Sequence, residues 1–167
     1  RILFMRYVVT GGSGFLGTHL VRALQERDSE IIVIDKISNH RNLDGIENHP
    51  SIKYYFADIS DPSITGKIIQ KDDVVFHLAA QSHVDVSFLS PLETTKSNVL
   101  GTQSILNACF QNNAKKLIVM STDEVYGSVN KIDNHNLLDP TNPYSSSKAA
   151  ADMIVNCYKH MYRDMNI

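Results

Sequence analysis

The sequence has no apolar run approaching the roughly 20 residues that span a bilayer. Its opening, RILFMRYVVT, lacks the long apolar stretch and small-residue cleavage site of a secretion signal. A cytoplasmic protein without a membrane partner is therefore expected. No basic block is present, and the net charge is −2, so nucleic-acid binding has no electrostatic support. There are only two cysteines, Cys109 and Cys157, without metal-ligand spacing. Both fall on expected helices and are read as reduced, small core residues. The seven histidines follow no ligand pattern such as H-E-x-x-H, and no metal site is expected. Repeats, low-complexity tracts and interdomain linkers are also missing.

What remains is an ordinary globular composition, 43% hydrophobic and 20% charged over 167 residues, enough for one domain with a real core. Residues 1–4 precede Met5, a candidate initiator, and are expected to be a remnant outside the natural chain. Residues 5–167 are then the domain. Strand and helix patterns alternate along it. RYVVT, EIIVID, IKYYFAD, DVVFHLAA and KKLIVMS read as strands, nearly continuous in apolar residues, which fits burial on both faces. Between them, GFLGTHLVRALQER has helical spacing, with Phe15, Leu16, Leu20, Val21 and Leu24 on one side. DPSITGKIIQ suits a short helix opened by Asp61 and Pro62. Long helices are expected near 91–112 and 143–164. This alternation implies right-handed crossovers and an α/β fold with a Rossmann-like, doubly wound parallel sheet. The pattern stops shortly after a helix, where another strand would follow, so an interrupted fold is expected.

The stretch VVTGGSGFLG joins the first strand to the first helix. Gly11, Gly14 and Gly17 are spaced G-x-x-G-x-x-G, and Gly12, Gly14 and Gly17 also satisfy G-x-G-x-x-G. Glycines there permit a tight turn and close approach of backbone to a pyrophosphate, which the helix N-terminus attracts. Asp35 closes the second strand, where a carboxylate accepts hydrogen bonds from a ribose and repels a 2′-phosphate. NAD is therefore expected over NADP, a preference that the adjacent Lys36 blurs slightly. Tyr144 and Lys148, in YSSSK, lie one turn apart on the last helix. An ammonium beside the phenol would lower its pKa from about 10 and suit it to proton abstraction near neutral pH. Finally, STDEVYG leaves an apolar strand with Thr122, Asp123 and Glu124 at the carboxyl edge, where open α/β sheets bind ligands.

Together, TGGSGFLG, HLAA, STDEVYG and NPYSSSKAA resemble the extended short-chain dehydrogenase/reductases. Among these, Thr-Asp-Glu points to the nucleotide-sugar 4,6-dehydratases of the dTDP-glucose or UDP-glucose type. That resemblance implies an NAD-dependent hydro-lyase making a 4-keto-6-deoxy sugar from an NDP-hexose such as dTDP-glucose, UDP-glucose or a UDP-N-acetylhexosamine. It implies that Tyr144 removes the O4 proton, Glu124 removes the C5 proton and Asp123 protonates the departing C6 hydroxyl. Two neighbouring carboxyl groups in different surroundings can divide such roles. Thr122 would hydrogen-bond the sugar O4. Phe15, Leu16, Asp58 and Ile59 would join the cofactor site, with Leu78, Ala79 and Ala80 lining it. Lys36, Ser38, Ser82 and Ser97 match further cofactor positions, and His83 a substrate-side one. Gln81 and Val86 stand where the family often has Glu and Arg, so the sugar and base stay open. The resemblance also implies a C-terminal substrate lobe, absent from this chain. It implies a homodimer through the two long helices, with Ile105, Leu106 and Cys109 on one and Met153, Ile154 and Cys157 on the other. Two other readings remain: an NAD-dependent nucleotide-sugar 4-epimerase or related oxidoreductase, which needs only Tyr144, Lys148 and NAD, and a non-catalytic NAD-sensing module.

Overall fold

The computed structural model describes residues 5–37, 49–128 and 137–167. Its five strands are β1 (Met5–Thr10), β2 (Ser29–Asp35), β3 (Ile52–Phe56), β4 (Val74–His77) and β5 (Lys116–Val119). All pair in parallel, in the order β3-β2-β1-β4-β5. The expected Rossmann-like sheet is therefore present. The chain winds outward in both directions from β1 and β4, which leaves a crevice at their carboxyl ends.

Strand side chains alternate between two faces, and each face has its own core. Ile31, Val33 and Val9 pack with Val21 and Leu24 of α1 (Phe15–Gln25). Val8, Ile32, Ile34, Val75 and Leu117 pack on the other side. There they meet Ile68 of α2 (Pro62–Ile68) and Ile105, Leu106 and Cys109 of α5 (Gly101–Gln111). Ile105, Leu106 and Cys109 are thus spent on the sheet and are not available to a partner, contrary to the dimer face expected for them. Phe15 and Leu16 are likewise not part of α1's core face: they are 78% and 52% exposed. The buried stripe is Gly17, Thr18, Val21 and Leu24.

The expected helix after Pro91 forms as α4 (Pro91–Thr95), a π-helical turn (Lys96–Leu100) and α5 in one run. A short helix, α3 (Val84–Leu89), precedes it. Six residues are too few to show a helical period, so α3 has no signature in the sequence pattern. After β5 come a 3-10 turn (Asp123–Tyr126) and α6 (Pro143–Met161). The first turn of α6 has all its backbone donors satisfied. Pro143 has none, Tyr144 N–H donates to Ser87 Oγ, Ser145 N–H to Asn142 Oδ1 and Ser146 N–H to the Asn142 carbonyl. Among the described residues, no helix is long and apolar enough to cross a membrane.

Candidate active site

The carboxyl ends of β2, β1 and β4 are stitched together where the glycine turn begins. Leu78 N–H donates to the Thr10 carbonyl at 3.2 Å, and Gly11 N–H to the Ile34 carbonyl at 2.8 Å. Gly11 has φ +70°, and a Cβ there would lie 2.7 Å from Ala79 backbone atoms. Gly17 lets α1 start directly over the turn, since its Cβ would meet the Gly11 carbonyl at 2.1 Å. Gly14 is the N-cap of α1 and has no side chain with which to cap it. The first N–H groups of that helix therefore point outward without a side-chain acceptor from their own cap, as an anion site requires. Asp35 holds the turn from β2, accepting from Ser13 N–H and Ile37 N–H, each at 3.0 Å.

A cavity of about 440 Å³ opens above this edge. Gly11, Gly14, Phe15, Leu16, Gly17, Asp35 and Lys36 line it, as do Asp58, Ile59, Leu78, Ala79, Ala80, Ser82 and Ser97. Thr122, Tyr144 and Lys148 complete the wall. Apart from Thr122, expected to meet the sugar, these are the expected cofactor positions; one more, Ser38, lies outside the described residues. Lys36 Nζ donates to Ser97 Oγ at 2.9 Å across the cavity wall. Burial pushes the Asp58 carboxyl up, but the Ser60 N–H and hydroxyl, then Lys36 and Lys96, outweigh it and bring it below its ordinary value. Ile34, Ile37, Ala57, Met120 and Ser121 also line the cavity and were not anticipated. Most flank an anticipated residue, so a one-residue extension of each motif would have found them.

Tyr144 and Thr122 both line the cavity, close enough for the Thr122 hydroxyl to favour the phenolate. The expected acidification of Tyr144 by Lys148 does not appear. Burial raises the phenol above its ordinary value; the nearby Thr122 hydroxyl opposes this, and the charges of Glu124 and Asp123 add to it. Lys148 instead donates from Nζ to the Met120 carbonyl at 2.5 Å. Helical spacing brings the two residues to one face but does not decide where a long ammonium finds its acceptor. Burial lowers the Lys148 pKa, and Asp152, one turn further along α6, opposes it. Asp152 also accepts from Ser121 Oγ at 2.5 Å, so the end of β5 is held to α6 twice.

Asp123 and Glu124 are exposed beside Thr122, outside the cavity lining. Thr122 Oγ1 is 3.4 Å from Asp123 Oδ1 and accepts from Glu124 N–H at 3.3 Å. Glu124 Oε2 accepts from Asn142 Nδ2 at 3.2 Å. Gly127 closes the turn at φ +65°, and a Cβ there would lie 2.3 Å from the Asp139 carbonyl. His83 caps α3, its side chain exposed and outside the cavity lining.

A buried polar chain, unanticipated from the sequence pattern, runs through Thr10, His77, Thr102, Asn98 and Ser147. Thr10 Oγ1 lies 2.7 Å from His77 Nδ1, and Thr102 Oγ1 lies 3.0 Å from His77 Nε2. Thr102 donates to the Asn98 carbonyl at 2.7 Å. Asn98 in turn donates to Ser147 Oγ and accepts from Gln81 N–H. The π-helical turn places Asn98 here, as such turns often do at functional sites.

Comparison with known proteins agrees with this geometry. The sequence model described as GDP-mannose 4,6 dehydratase matches residues 8–166. The chain belongs to the GDP-mannose 4,6 dehydratase family. Within it, the dTDP-D-glucose 4,6-dehydratase of Dictyostelium discoideum is 38% identical over 97% of this chain and 42% of its own length. DesIV, a dTDP-glucose 4,6-dehydratase from Streptomyces venezuelae solved with NAD and TYD bound, superposes with a TM-score of 0.88 at 34% identity. It covers 95% of this chain, which spans 53% of DesIV. A UDP-N-acetylglucosamine 4-epimerase from Methanobrevibacter ruminantium M1 superposes equally well, TM-score 0.88 at 32% identity, over 96% of this chain and 52% of its own. The GDP-mannose 4,6 dehydratase-family chain thus spans about half the length of the curated relatives it matches. The resemblance drawn from TGGSGFLG, STDEVYG and NPYSSSKAA is borne out at the level of the family.

Proposed function

We propose that this protein is an NAD-dependent nucleotide-sugar 4,6-dehydratase, a hydro-lyase, with residues 5–167 as its cofactor domain and bearer of the catalytic residues. The observation that carries the reading is the end of β5. Thr122, Asp123 and Glu124 stand in one turn beside Tyr144 and Lys148, at a cavity walled by the glycine turn and Asp35. Proton transfer at a sugar O4 needs only Tyr144, Thr122 and Lys148. Two further carboxylates at the same place supply the acid and base of a water elimination.

The cavity residues fit NAD. The uncapped first turn of α1 suits its pyrophosphate, and Asp35 keeps lone pairs for ribose hydroxyls beyond its two backbone bonds. Asp58 and Ile59, which line the cavity, would border the adenine, and Ala79, Ala80, Tyr144 and Lys148, also in its lining, would border the reacting end. When bound, NAD accepts and later returns two electrons and a proton's equivalent of hydrogen. The chain's own residues handle the remaining protons. Thr122 orients O4 and Tyr144 takes its proton. Burial holds the phenol protonated at rest, so Tyr144 can act as base only after its own proton has passed to solvent, and Lys148, swung from the Met120 carbonyl, would steady the phenolate. Glu124 takes the C5 proton and Asp123 gives one to the leaving C6 hydroxyl.

His83 is assigned to the substrate side, beside α3. A homodimer through the outer faces of the two long helices is supported by Leu92 and Met153, 83% and 64% exposed. A cytoplasmic setting is supported by the two unpaired cysteines, Cys109 and Cys157. The likeness to the epimerase structure favours a second reading, 4-epimerisation. Mass spectrometry of the full-length protein with UDP- and dTDP-sugars separates the two. Loss of one water marks the dehydratase; an altered sugar of unchanged mass marks the epimerase. Glu124→Gln should stop dehydration while reduced nicotinamide accumulates, whereas Tyr144→Phe should yield neither product. Each lost role should slow the reaction on the order of 10²–10⁴-fold. Near-normal turnover by Glu124→Gln would reduce the carboxylate turn to a structural loop.

A further inference from the structure

We propose that Asn142 is a positioning residue that ties the Glu124 carboxylate to the helix carrying Tyr144 and Lys148. The inference rests on Glu124 being the C5 base. Asn142 is the N-cap of α6, and its Oδ1 accepts from Ser145 N–H at 2.8 Å. That bond decides how the amide is turned, because a backbone N–H must find an oxygen. The nitrogen is thereby aimed the other way, and Nδ2 donates to Glu124 Oε2 at 3.2 Å. Ser145 Oγ closes the box by accepting from Asn142 N–H at 3.2 Å. One rigid amide thus fixes the start of α6, two residues before Tyr144, and one oxygen of Glu124.

The link has a chemical reason. Glu124 is exposed on a short turn and would otherwise sample several rotamers. Ser, Thr and Asp cap helices as well as Asn does. Among good capping residues, only Asn presents an acceptor to the helix and an N–H donor to a carboxylate in one planar group. Among the described residues, the charged or titratable groups on this turn and the elements packed around it include Asp123 and Tyr126 beside Glu124, Tyr144, Lys148 and Asp152 on α6, and Asp139, whose segment bonds to Val125. The side-chain donor that reaches the Glu124 carboxylate, among the described residues, is the Asn142 amide.

The decisive variant in the full-length protein is Asn142→Asp. It keeps a capping oxygen and adds a charge favourable at a helix N-terminus, so the unfolding midpoint should hold or rise. It removes the donor and sets a carboxylate against Glu124. Exchange of C5–H with deuterated water should fall on the order of 10- to 100-fold, the size expected for losing a hydrogen bond to a charged group. The single-turnover burst of C4 oxidation should persist. The low-pH limb of the exchange should move to higher pH, because a second carboxylate resists ionisation of the first. Asn142→Ser should slow exchange without the pH displacement, and it serves if Asn142→Asp fails to fold. Without any ligand, Glu124→Gln should move the Asn142 side-chain NH₂ resonance, because it replaces the carboxylate that the amide donates to. Unchanged exchange in both Asn142 variants, or C4 oxidation and exchange falling together with the midpoint, would overturn the proposal. If Glu124→Gln itself still exchanges C5–H, the base assignment falls and takes this inference with it. If Glu124→Gln abolishes exchange and Asn142→Asp does not slow it, only the role of Asn142 is lost.

Discussion

Acid should weaken this fold through one histidine. His77 lies at the end of β4 with 2% of its surface exposed, between Thr10 and Thr102. The Thr102 hydroxyl is already spent on the Asn98 carbonyl, so His77 Nε2 must carry the proton and donate. Nδ1 then accepts from Thr10, whose oxygen also receives the Ala79 N–H. The ring is satisfied only when neutral. Burial, with the Lys148 charge adding to it, lowers its pKa from 6.5 to about 3. Unfolded, the same imidazole protonates near 6.5. Between those values the unfolded state binds more protons, so the stabilising contribution is full above pH 6.5 and drains away as pH falls toward 3. At pH 5 the loss is about 2 kcal/mol, 1.36 kcal/mol for each of roughly 1.5 pH units. The perturbation that isolates it is His77→Gln, whose amide can donate to Thr102 and accept from Thr10 but cannot titrate. Urea unfolding of both proteins at pH 7.5, 6 and 5 should show wild type losing about 2 kcal/mol more than the variant, since all other groups cancel in the difference. Parallel pH dependences would refute the reasoning. So would a His77 ring resonance that titrates near pH 6.5 in the folded protein, a measurement that does not depend on the variant folding.

Gly17→Ala should reduce NAD affinity and cost about 1–3 kcal/mol of stability, because its Cβ would sit 2.1 Å from the Gly11 carbonyl and one of the two must move. Calorimetric titration with NAD and thermal unfolding check both parts. Asp35→Ala should lower NAD affinity roughly ten- to hundredfold by removing a charged acceptor for the ribose. It should narrow the gap to NADP, and equal affinity of the unmodified protein for the two cofactors would sink the assignment.

Much of this was written in local sequence. A doubly wound sheet follows from apolar strands alternating with helices, since each strand must bury both faces and each crossover takes one hand. The glycine turn, the Asp61 and Pro62 start of α2, and the Pro143 start of α6 depend on φ angles and orphan N–H groups within a few residues. Thr122, Tyr144 and Lys148 could be named because short motifs place them at strand or helix ends, and those ends meet at one sheet edge.

Contacts between residues distant in the chain decided the rest. Phe15 and Leu16 look like core in an apolar helix, yet they face the cavity because Gly17 and Thr18 are what α1 lays on the turn. Ile105, Leu106 and Cys109 look equally suited to a partner or to the sheet, and the sheet takes them. The proton affinity of Tyr144 could not be read from its spacing to Lys148, because Met120, 28 residues before the lysine, supplies the competing carbonyl. Nor could His77, whose neutrality is imposed by hydroxyls 67 and 25 residues away. The sequence by itself determined which backbone conformations and which faces were affordable. Only the tertiary structure decided where each long polar side chain finds its hydrogen-bond partner, because burial makes that partner's position, not the side chain's intrinsic chemistry, set its charge.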